Sequence, residues 1–468
     1  MREQLENLGA TLVLTKQVAD ELDATARRPE ESAGVLLVSV VAEPSGGIRF
    51  LARAMRWVGE EAYLRRGGDH MSIASEGYVP FLAEAERMGA TPIWVHTHPG
   101  LDSRPVASQH DDEVDRQIAD LFRLRSGSRY YVTLIVSPRP SGLAFTGAVH
   151  DEASDTTVIS RLWEVGERFR LTRAFDAPAA EIGPAFDRNV RAFGGAVQQA
   201  LGDLRVGLVG CGGTGSAVAE QLVRLGVRQF VLIDPDELSE SNVTRVYGSD
   251  PSEVGTQKVM VTAENLRRIA PGVSCETAAS MVTKASAAKR LCGCDVIFGC
   301  TDDNAGRLVL SRLATYLLTP VIDCGVLISS DAEGVLTGIH GRVTTLVPGQ
   351  ACLVCRGRID LARAGTELLT PDERRRREDE GYAPALGRNE PAVVTFTTMV
   401  AATAVSEVLE RMIGYGPEPR PSEVLLRLHD REISTNLQAP RPRHYCDPAA
   451  GKLGLGITTP FLEQTWPE

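Results

Sequence analysis

Apolar residues in the first third of the chain fall into short runs separated by amphipathic stretches. The runs Val35–Val41 and Tyr130–Val136 predict strands, whereas the stretches Tyr78–Met88 and Asp111–Leu124 predict helices. Strands mixed with helices in this way are typical of a compact α/β or α+β domain. We therefore expect a first domain over residues 1–155.

The pattern changes after this region. The apolar runs Val206–Val209, Phe230–Ile233 and Val296–Gly299 alternate with helical stretches such as Ser216–Leu225. Strands and helices in regular alternation predict a Rossmann-like, doubly wound parallel sheet. We expect this α/β fold to occupy residues 185–468.

The segment between these two regions has a different composition. Residues 156–184 are first amphipathic and then rich in proline and alanine. Such a change in composition favours a connecting segment. We predict a linker there.

Composition excludes several classes of protein. The 468 residues are 43% hydrophobic and 24% charged, which is ordinary for a globular protein and not for a disordered one. A net charge of -11 makes general attraction to nucleic acid or anionic lipid unexpected. The N-terminus lacks a signal-peptide pattern, and no apolar stretch reaches the roughly 20 residues that cross a bilayer. Nine cysteines scattered along so long a chain favour reduced thiols or metal ligands, so we expect a cytoplasmic protein.

A pair of histidines ends one apolar run. Because side chains alternate along a strand, His96 and His98 are expected on one face, where two imidazoles can bind one metal ion. Ser108 is a candidate helix N-cap, and Asp111 in the following turn supplies a carboxylate as third ligand. Two histidines and one aspartate with an open fourth position are typical of catalytic zinc, which lowers the pKa of water to about 7.

An acidic residue upstream completes a recognisable order of motifs. The sequence Glu31-Ser32-Ala33-Gly34, followed by the two histidines with a proline and then by Ser-x-x-Asp, resembles the JAMM (MPN or JAB) metalloprotease family. The resemblance implies a zinc peptidase or isopeptidase that acts on ubiquitin-like proteins. It implies Glu31 as the general base, with Glu30 as the alternative, and Ser108 as the donor to the developing oxyanion.

The loop between the histidines and the third ligand departs from the family pattern. The interval from His98 to Ser108 is about two residues longer than the form expected for the family. Asp112 and His110 therefore compete with Asp111 as third ligand.

A glycine-rich turn follows the first strand of the second domain. Gly210, Gly212, Gly213 and Gly215 precede a helix and allow backbone amides to approach phosphate groups, and Asp234 ends the next strand, where it is suited to ribose hydroxyls. Dehydrogenases share this signal, so an NAD-binding oxidoreductase is the alternative.

Residues around and after the turn resemble the ThiF/MoeB/HesA family, the adenylating core shared with ubiquitin-activating enzymes. The residues that carry the resemblance occur in the family's order: Arg188, Asn242, Arg245, Lys258 and Asp302. The resemblance implies that ATP and Mg²⁺ are used to adenylate the C-terminal carboxylate of a protein. The three cations would neutralise the two anions that react, Asn242 would position phosphate, and Asp302 would hold Mg²⁺. In the family the counterpart of Arg188 reaches in from a neighbouring subunit, which implies a homodimer.

Four further residues predict a second metal site. Cys352 and Cys355 form a C-x-x-C pair, and His444 with Cys446 would complete a Cys₃His zinc tetrahedron. Unligated thiols are an equal alternative. The expected crossover loop over 356–390 contains no cysteine, so we predict adenylation without a thioester on this chain.

Together these features predict a fusion of a JAMM peptidase with a ThiF-type domain. Both halves would act on the glycine-type C-terminal tail of a ubiquitin-like protein, one cleaving and one activating, with a conjugating enzyme as a further partner. Activation of a sulfur-carrier protein for biosynthesis is the first alternative, and a non-catalytic scaffold that binds the ubiquitin-like fold is the second.

Overall fold

The computed structural model describes residues 9–68, 70–152, 155–178, 181–369, 372–373, 375–376 and 392–466. These residues form two compact units. The first comprises residues 1–180 with Gly454–Gly456, and the second comprises the rest of the chain. None of the helices in the described ranges is long and apolar enough to cross a membrane.

The first unit is a mixed sheet with three helices. Its elements in chain order are β1 (Ala10–Thr15), α1 (Lys16–Ala26), β2 (Ala33–Ala42), β3 (Ile48–Trp57), β4 (Tyr63–Arg66), β5 (Met71–Ile73), α2 (Val79–Met88), β6 (Thr91–Thr97), α3 (Gln109–Ser126), β7 (Tyr131–Pro138), β8 (Leu143–His150), β9 (Thr156–Val165) and β10 (Arg170–Arg173). The main sheet has the order β1-β3-β2-β6-β7-β8-β9-β10, and it closes on itself because β1 also pairs with β9. Strands β4 and β5 form a separate hairpin.

Two apolar cores lie against this sheet. One contains residues of α1, such as Leu22, together with Leu36 and Phe50 of the strands. The other contains Trp94 and residues of α2 and α3, such as Phe122. Alternate side chains of β2 and β6 enter the two cores, which is why these strands read as continuous apolar runs.

The predicted linker over 156–184 needs correction. Residues Thr156–Val165 form β9, which pairs in parallel with β1, and Arg170–Arg173 form β10, which pairs with β9. Trp163 is 1% exposed and Leu162 is 5% exposed. The amphipathic part of the segment is thus a strand with an apolar face in the core, and the proline- and alanine-rich part follows it.

The second unit is a doubly wound sheet extended by antiparallel strands. Its elements are α4 (Asp187–Phe193), α5 (Gly195–Asp203), β11 (Arg205–Val209), α6 (Gly213–Leu225), β12 (Gln229–Ile233), α7 (Glu240–Val243), α8 (Lys258–Ile269), β13 (Ser274–Ala278), α9 (Ala285–Arg290), β14 (Val296–Gly299), α10 (Asn304–Tyr316), β15 (Val321–Ser330), β16 (Leu336–Leu346), α11 (Leu361–Glu367), α12 (Val394–Ile413), β17 (Glu423–Arg427) and β18 (Glu432–Asn436). The strand order in the sheet is β13-β12-β11-β14-β15-β16-β17-β18. The first five strands in this order, β13, β12, β11, β14 and β15, are parallel.

The order of the parallel strands places a ligand crevice. The chain moves outward from β11 to β12 and β13, and then returns to β14 on the other side of β11. In such sheets ligands bind beyond the carboxyl ends of the strands, where the order reverses. The glycine-rich turn after β11 lies at this point.

The burial of β9 predicts how this strand contributes to stability. Trp163→Ala removes a fully buried indole and is expected to cost about 3–5 kcal/mol, because the surrounding core cannot close the cavity. Val158→Ala on the same strand is the matched control, since Val158 is 50% exposed. Urea unfolding followed by circular dichroism measures both, and equal midpoints would contradict a core role for β9.

Candidate functional sites

Strand pairing brings the predicted metal ligands together. β2 and β6 are antiparallel with Ala33 opposite His96, so the segment before β2 lies beside the histidines. Thr97 points away from them, is fully buried, and accepts a 2.9 Å hydrogen bond from the amide of Ser32. The alternation along β6 therefore orients His96 toward the site.

The spacing of the donor atoms fits a tetrahedral ion. His96 Nε2 lies 3.2 Å from His98 Nε2 and 3.4 Å from Asp111 Oδ1. Ligand atoms about 2.0–2.2 Å from zinc in tetrahedral geometry lie roughly 3.3–3.6 Å apart. The three side chains offer one donor each within 4.8 Å of one another. Two imidazoles and a carboxylate are a suitable donor set for zinc.

Neighbouring groups orient these donors. The second carboxylate oxygen of Asp111 accepts a 2.7 Å hydrogen bond from the Ser108 amide, and Ser108 Oγ accepts from the Asp111 amide at 3.2 Å. This capping box begins α3. His98 Nδ1 lies 2.9 Å from the carbonyl oxygen of Arg104, an outer partner of the kind that fixes the orientation of metal-binding imidazoles.

The alternative ligands and the alternative base lie elsewhere. His110 and Asp112 are exposed on α3. Glu30 is half exposed at its side chain and lies 3.7 Å from the guanidinium of Arg66. Glu31 is 8% exposed, and its carboxylate lies 4.0 Å from His98 Nε2.

Burial sets the charge of the first histidine. Desolvation lowers the pKa of His96 to about 4, although the nearby carboxylate of Asp111 opposes the shift. The imidazole is therefore neutral at pH 7, and neutral imidazole is the form that binds metals.

Sequence reasoning missed the arginine that holds the segment carrying Glu31. Arg66 Nε donates to the carbonyl oxygen of Glu31 at 2.7 Å, and Arg66 Nη2 donates to Ser32 Oγ at 2.6 Å. Tyr63 Oη accepts from the amide of Ala33 at 2.9 Å. Both residues come from β4, so the hairpin fixes the backbone before β2. Arginines in polar segments are common, and no local signal singles this one out.

Close backbone contacts explain the glycines of the turn after β11. A Cβ on Gly215 would lie 1.8 Å from the carbonyl oxygen of Gly210, and one on Gly210, where φ is 94°, would lie 2.5 Å from that of Cys300. At Gly212 a Cβ would have no neighbour within 4 Å. Gly213 packs against the side chain of Arg245, 3.3 Å from its virtual Cβ. The turn is thus closely packed at Gly210 and Gly215. The space at Gly212 is open, which suits a phosphate group.

A buried carboxylate stabilises this turn. Asp234 is 5% exposed and accepts hydrogen bonds from the amides of Cys211 at 2.6 Å and Asp236 at 2.8 Å. Burial raises the pKa of Asp234, whereas the two amides oppose that shift. Asp234 therefore joins the ends of β11 and β12, and in this structure its two oxygens contact the protein backbone.

The predicted cations take different positions. Lys258 Nζ lies 2.7 Å from Asp236 Oδ2, and Arg245 donates to the carbonyl oxygen of Ser241 at 2.9 Å. Arg188 is exposed on α4. The structure brings Lys258 and Arg245 toward the turn, and it shows no contact between Arg188 and the turn among the described residues.

The remaining predicted residues lie in two connecting segments. Asn242 is 9% exposed in the short helix α7. Asp302 is exposed between β14 and α10, whereas its neighbour Asp303 caps α10 by accepting from the Gly306 amide. An exposed carboxylate at a strand end is free to bind a cation that arrives with a nucleotide.

Sequence reasoning also missed a buried carboxylate on β15. Asp323 is fully buried, and it pairs with Arg342 and, at 3.4 Å, with Arg307. In the parallel register it lies beside Gly299, the last residue of β14. The buried charge is balanced by arginines from α10 and β16, which are distant in sequence.

About half of the predicted crossover loop, 356–390, lies outside the described residues. Its first part contains α11, and Glu367 at the end of that helix accepts from the Ala305 amide at 2.8 Å. Asp360 donates its amide to the side chain of Asn304 at 3.0 Å. These bonds attach the first part of the segment to the beginning of α10.

The cysteine cluster forms a second compact donor set. Cys352, Cys355, His444 and Cys446 offer donor atoms within 4.8 Å of one another, and the three sulfurs are buried. His444 Nδ1 lies 3.5 Å from Cys352 Sγ and 3.3 Å from Cys446 Sγ, whereas Cys355 Sγ lies 3.6 Å from Cys446 Sγ. Three thiols and an imidazole at these distances match a closed tetrahedral zinc site.

The fold and the turn define a Rossmann-type α/β unit with a glycine-rich first crossover. The model of the ThiF family matches residues 186–447. This range is more than half of the chain, and the chain belongs to the ThiF family.

Curated relatives resemble the same region. The chain is 29% identical over 151 residues to the SAMP-activating enzyme E1 of Haloferax volcanii. This matched region covers 32% of this chain and 52% of that protein. The chain is also 29% identical over 164 residues to the molybdopterin-synthase adenylyltransferase of Escherichia coli, covering 35% and 62%. The chain therefore spans less than two thirds of the length of either relative.

Solved structures resemble this chain at lower identity. A crystal structure of Escherichia coli MccB with ATP is 17% identical, covers 56% of this chain and 73% of that chain, and has a TM-score of 0.44.

The contacts of the turn predict different outcomes for two glycine substitutions. Gly215→Ala is expected to destabilise the second unit by about 1–3 kcal/mol, because its Cβ overlaps a backbone carbonyl that cannot move freely. Gly212→Ala is the matched control and is expected to change stability by less than about 0.5 kcal/mol, because the space around it is open. Thermal unfolding measures both, and equal losses would contradict the geometry of the turn.

Proposed function

We propose that the second unit activates the C-terminal carboxylate of a ubiquitin-like or sulfur-carrier protein by adenylation with ATP and Mg²⁺. The observation that carries the proposal is the turn after β11, which is open at Gly212 and has Lys258 and Arg245 beside it. Membership of the ThiF family supports it, as do relatives named as activating enzymes and as an adenylyltransferase.

The residues present suit this reaction. A carboxylate that attacks a phosphate brings two anions together, so cations must offset their repulsion. Lys258 and Arg245 would bind the phosphates, with Arg188 supplied by a second copy of the chain, and Asn242 would orient them. Asp302 would bind Mg²⁺, which supplies positive charge to the phosphate oxygens. Asp234 would orient the ribose and hold the turn.

We infer that the first unit is a zinc peptidase of the JAMM type that acts on the same kind of tail. The spacing of 3.2 and 3.4 Å between donor atoms of His96, His98 and Asp111 supports it. A bound zinc ion would polarise water and the substrate carbonyl. Glu31 would accept a proton from water and pass it to the leaving amine, and Ser108, whose hydroxyl group can donate a hydrogen bond, would stabilise the oxyanion.

The two activities would act in sequence on one partner. Cleavage of a precursor or of an isopeptide bond exposes a C-terminal carboxylate, and adenylation consumes that group. We propose a homodimer and a downstream acceptor, either a conjugating enzyme or, for a sulfur carrier, a sulfur donor. Because one relative is named molybdopterin-synthase adenylyltransferase, activation of a sulfur-carrier protein is the second candidate function.

Metal content tests both metal sites without a partner protein. The wild-type chain, purified without chelator, is expected to hold about two zinc ions, because both donor sets match tetrahedral zinc. His96→Ala/His98→Ala should remove about one, and Cys352→Ser/Cys355→Ser the other, by mass spectrometry.

His110→Ala is the matched control, because it removes an exposed histidine from the first turn of α3, next to Asp111. It should leave the metal content unchanged. A wild-type chain that takes up no zinc after incubation with the metal would refute the peptidase proposal and leave the adenylation proposal standing.

Exchange of labelled pyrophosphate into ATP tests adenylation with a tailed ubiquitin-like or sulfur-carrier protein. Lys258→Ala is expected to lower the exchange rate about 100-fold, because it removes a cation that stabilises the transition state. Asp236→Asn is the matched control, since it keeps Lys258 and removes its surface partner, and it should stay within about threefold of wild type. Normal exchange by Lys258→Ala would contradict its role.

A further inference from the structure

A groove beside the candidate metal centre contains two arginines that share one aromatic ring. The groove has a volume of about 630 Å³ and is lined by Leu101, Asp102, Arg104, Arg139, Pro140 and Phe175. The guanidinium carbon of Arg104 lies 5.4 Å from the Phe175 ring centroid, and that of Arg139 lies 5.6 Å from it. Both distances are within the range of cation–π attraction.

The groove has an excess of positive charge. Two guanidinium groups over one ring are no more than about 11 Å apart, and Asp102 is the single carboxylate in the lining. Among the described residues, neither Asp102 nor Arg104 forms an ion pair. Arg139 donates to the carbonyl oxygens of Leu101 and Pro138 at 3.1 and 2.8 Å, which holds its side chain in place. Two like charges beside one ring attract an anion that relieves their repulsion.

A backbone contact joins the groove to the metal centre. The carbonyl oxygen of Arg104 lies 2.9 Å from Nδ1 of His98, whose other nitrogen faces the candidate ion. Leu101, Asp102 and Arg104 belong to the loop between His98 and Ser108, the loop that is longer than the family pattern. The additional length thus supplies one wall of the groove.

We propose that this groove binds the carboxylate side chain of an aspartate or glutamate in the peptide substrate. The inference rests on the proposed peptidase function and adds a specificity site to it. Because the Arg104 backbone contacts His98, the groove would accept a side chain within a few residues of the cleaved bond in an extended peptide. Arg104 and Arg139 would bind the carboxylate, and the Phe175 ring would orient both guanidinium groups.

Matched peptides test the proposal with the full chain loaded with zinc. Each peptide has a Gly-Gly tail and an extension, with Asp, Asn or Lys at one position two to four residues from the Gly–X bond. For at least one position the Asp peptide should give a kcat/KM about threefold to tenfold above that of the Asn peptide, through a lower KM. The preference should shrink in 0.5 M NaCl, because salt screens an exposed ion pair.

Two substitutions and a control locate the effect. Arg104→Gln should remove the preference, and Arg104→Glu should reverse it toward the Lys peptide. Arg129→Glu is the control, because Arg129 also lies over an aromatic ring, 5.0 Å from the Tyr130 centroid, and does not line the groove. It should retain the preference for Asp.

A binding readout separates this proposal from the peptidase proposal. Fluorescence anisotropy of labelled Asp and Asn peptides is measured on the zinc-free chain and on Arg104→Glu. Tighter binding of the Asp peptide that Arg104→Glu abolishes supports the groove even when no peptide is cleaved, and that absence of cleavage refutes the peptidase. Cleavage with equal kcat/KM and equal binding for Asp and Asn peptides would overturn the groove proposal alone.

Discussion

Backbone hydrogen bonds between β2 and β6 fix the register in which Ala33 lies opposite His96. Because side chains alternate on a strand, a shift of one residue would turn His96 into the core and Thr97 toward the site. The two apolar cores resist that shift, since β2 is buried on both faces over most of its length. The arrangement of Glu31, His96 and His98 therefore depends on pairing that the apolar residues of the strands enforce.

The second unit depends on a comparable backbone constraint. The carbonyl of Gly210 lies where a Cβ of residue 215 would be, so the strand end and the helix α6 approach more closely than side chains allow. Asp234 then accepts hydrogen bonds from two backbone amides that follow the ends of β11 and β12. In both units a buried strand fixes the backbone, and the polar groups that could act on a substrate follow the strand end.

The sequence was informative where residues with a recognisable chemistry follow one another at short intervals along the chain. The ThiF-type Rossmann unit was predicted from the glycines, Asp234 and the residues after them, and the match to the ThiF family over 186–447 confirms that assignment. The strand β9 was missed because its polar residues and the proline-rich stretch after it suggested a linker, whereas its pairing partner β1 is about 150 residues away in sequence. Arg66 and Asp323 were missed for the same reason, since their partners come from strands and helices that only the folded topology brings near.

The pairing of Lys258 bears on the phosphate-binding role proposed for it. Lys258 is 11% exposed at its side chain, whereas its partner Asp236 is 62% exposed. An ion pair with so exposed a carboxylate is weak, because water and salt screen it. A phosphate group that carries more charge than one carboxylate can therefore displace Asp236 at little cost. Asp323, by contrast, is fully buried between two arginines, and removing its carboxylate would leave both guanidinium groups without this partner in the interior. The exposed pair is suited to exchange of partners, and the buried one to holding β15 and β16 in place.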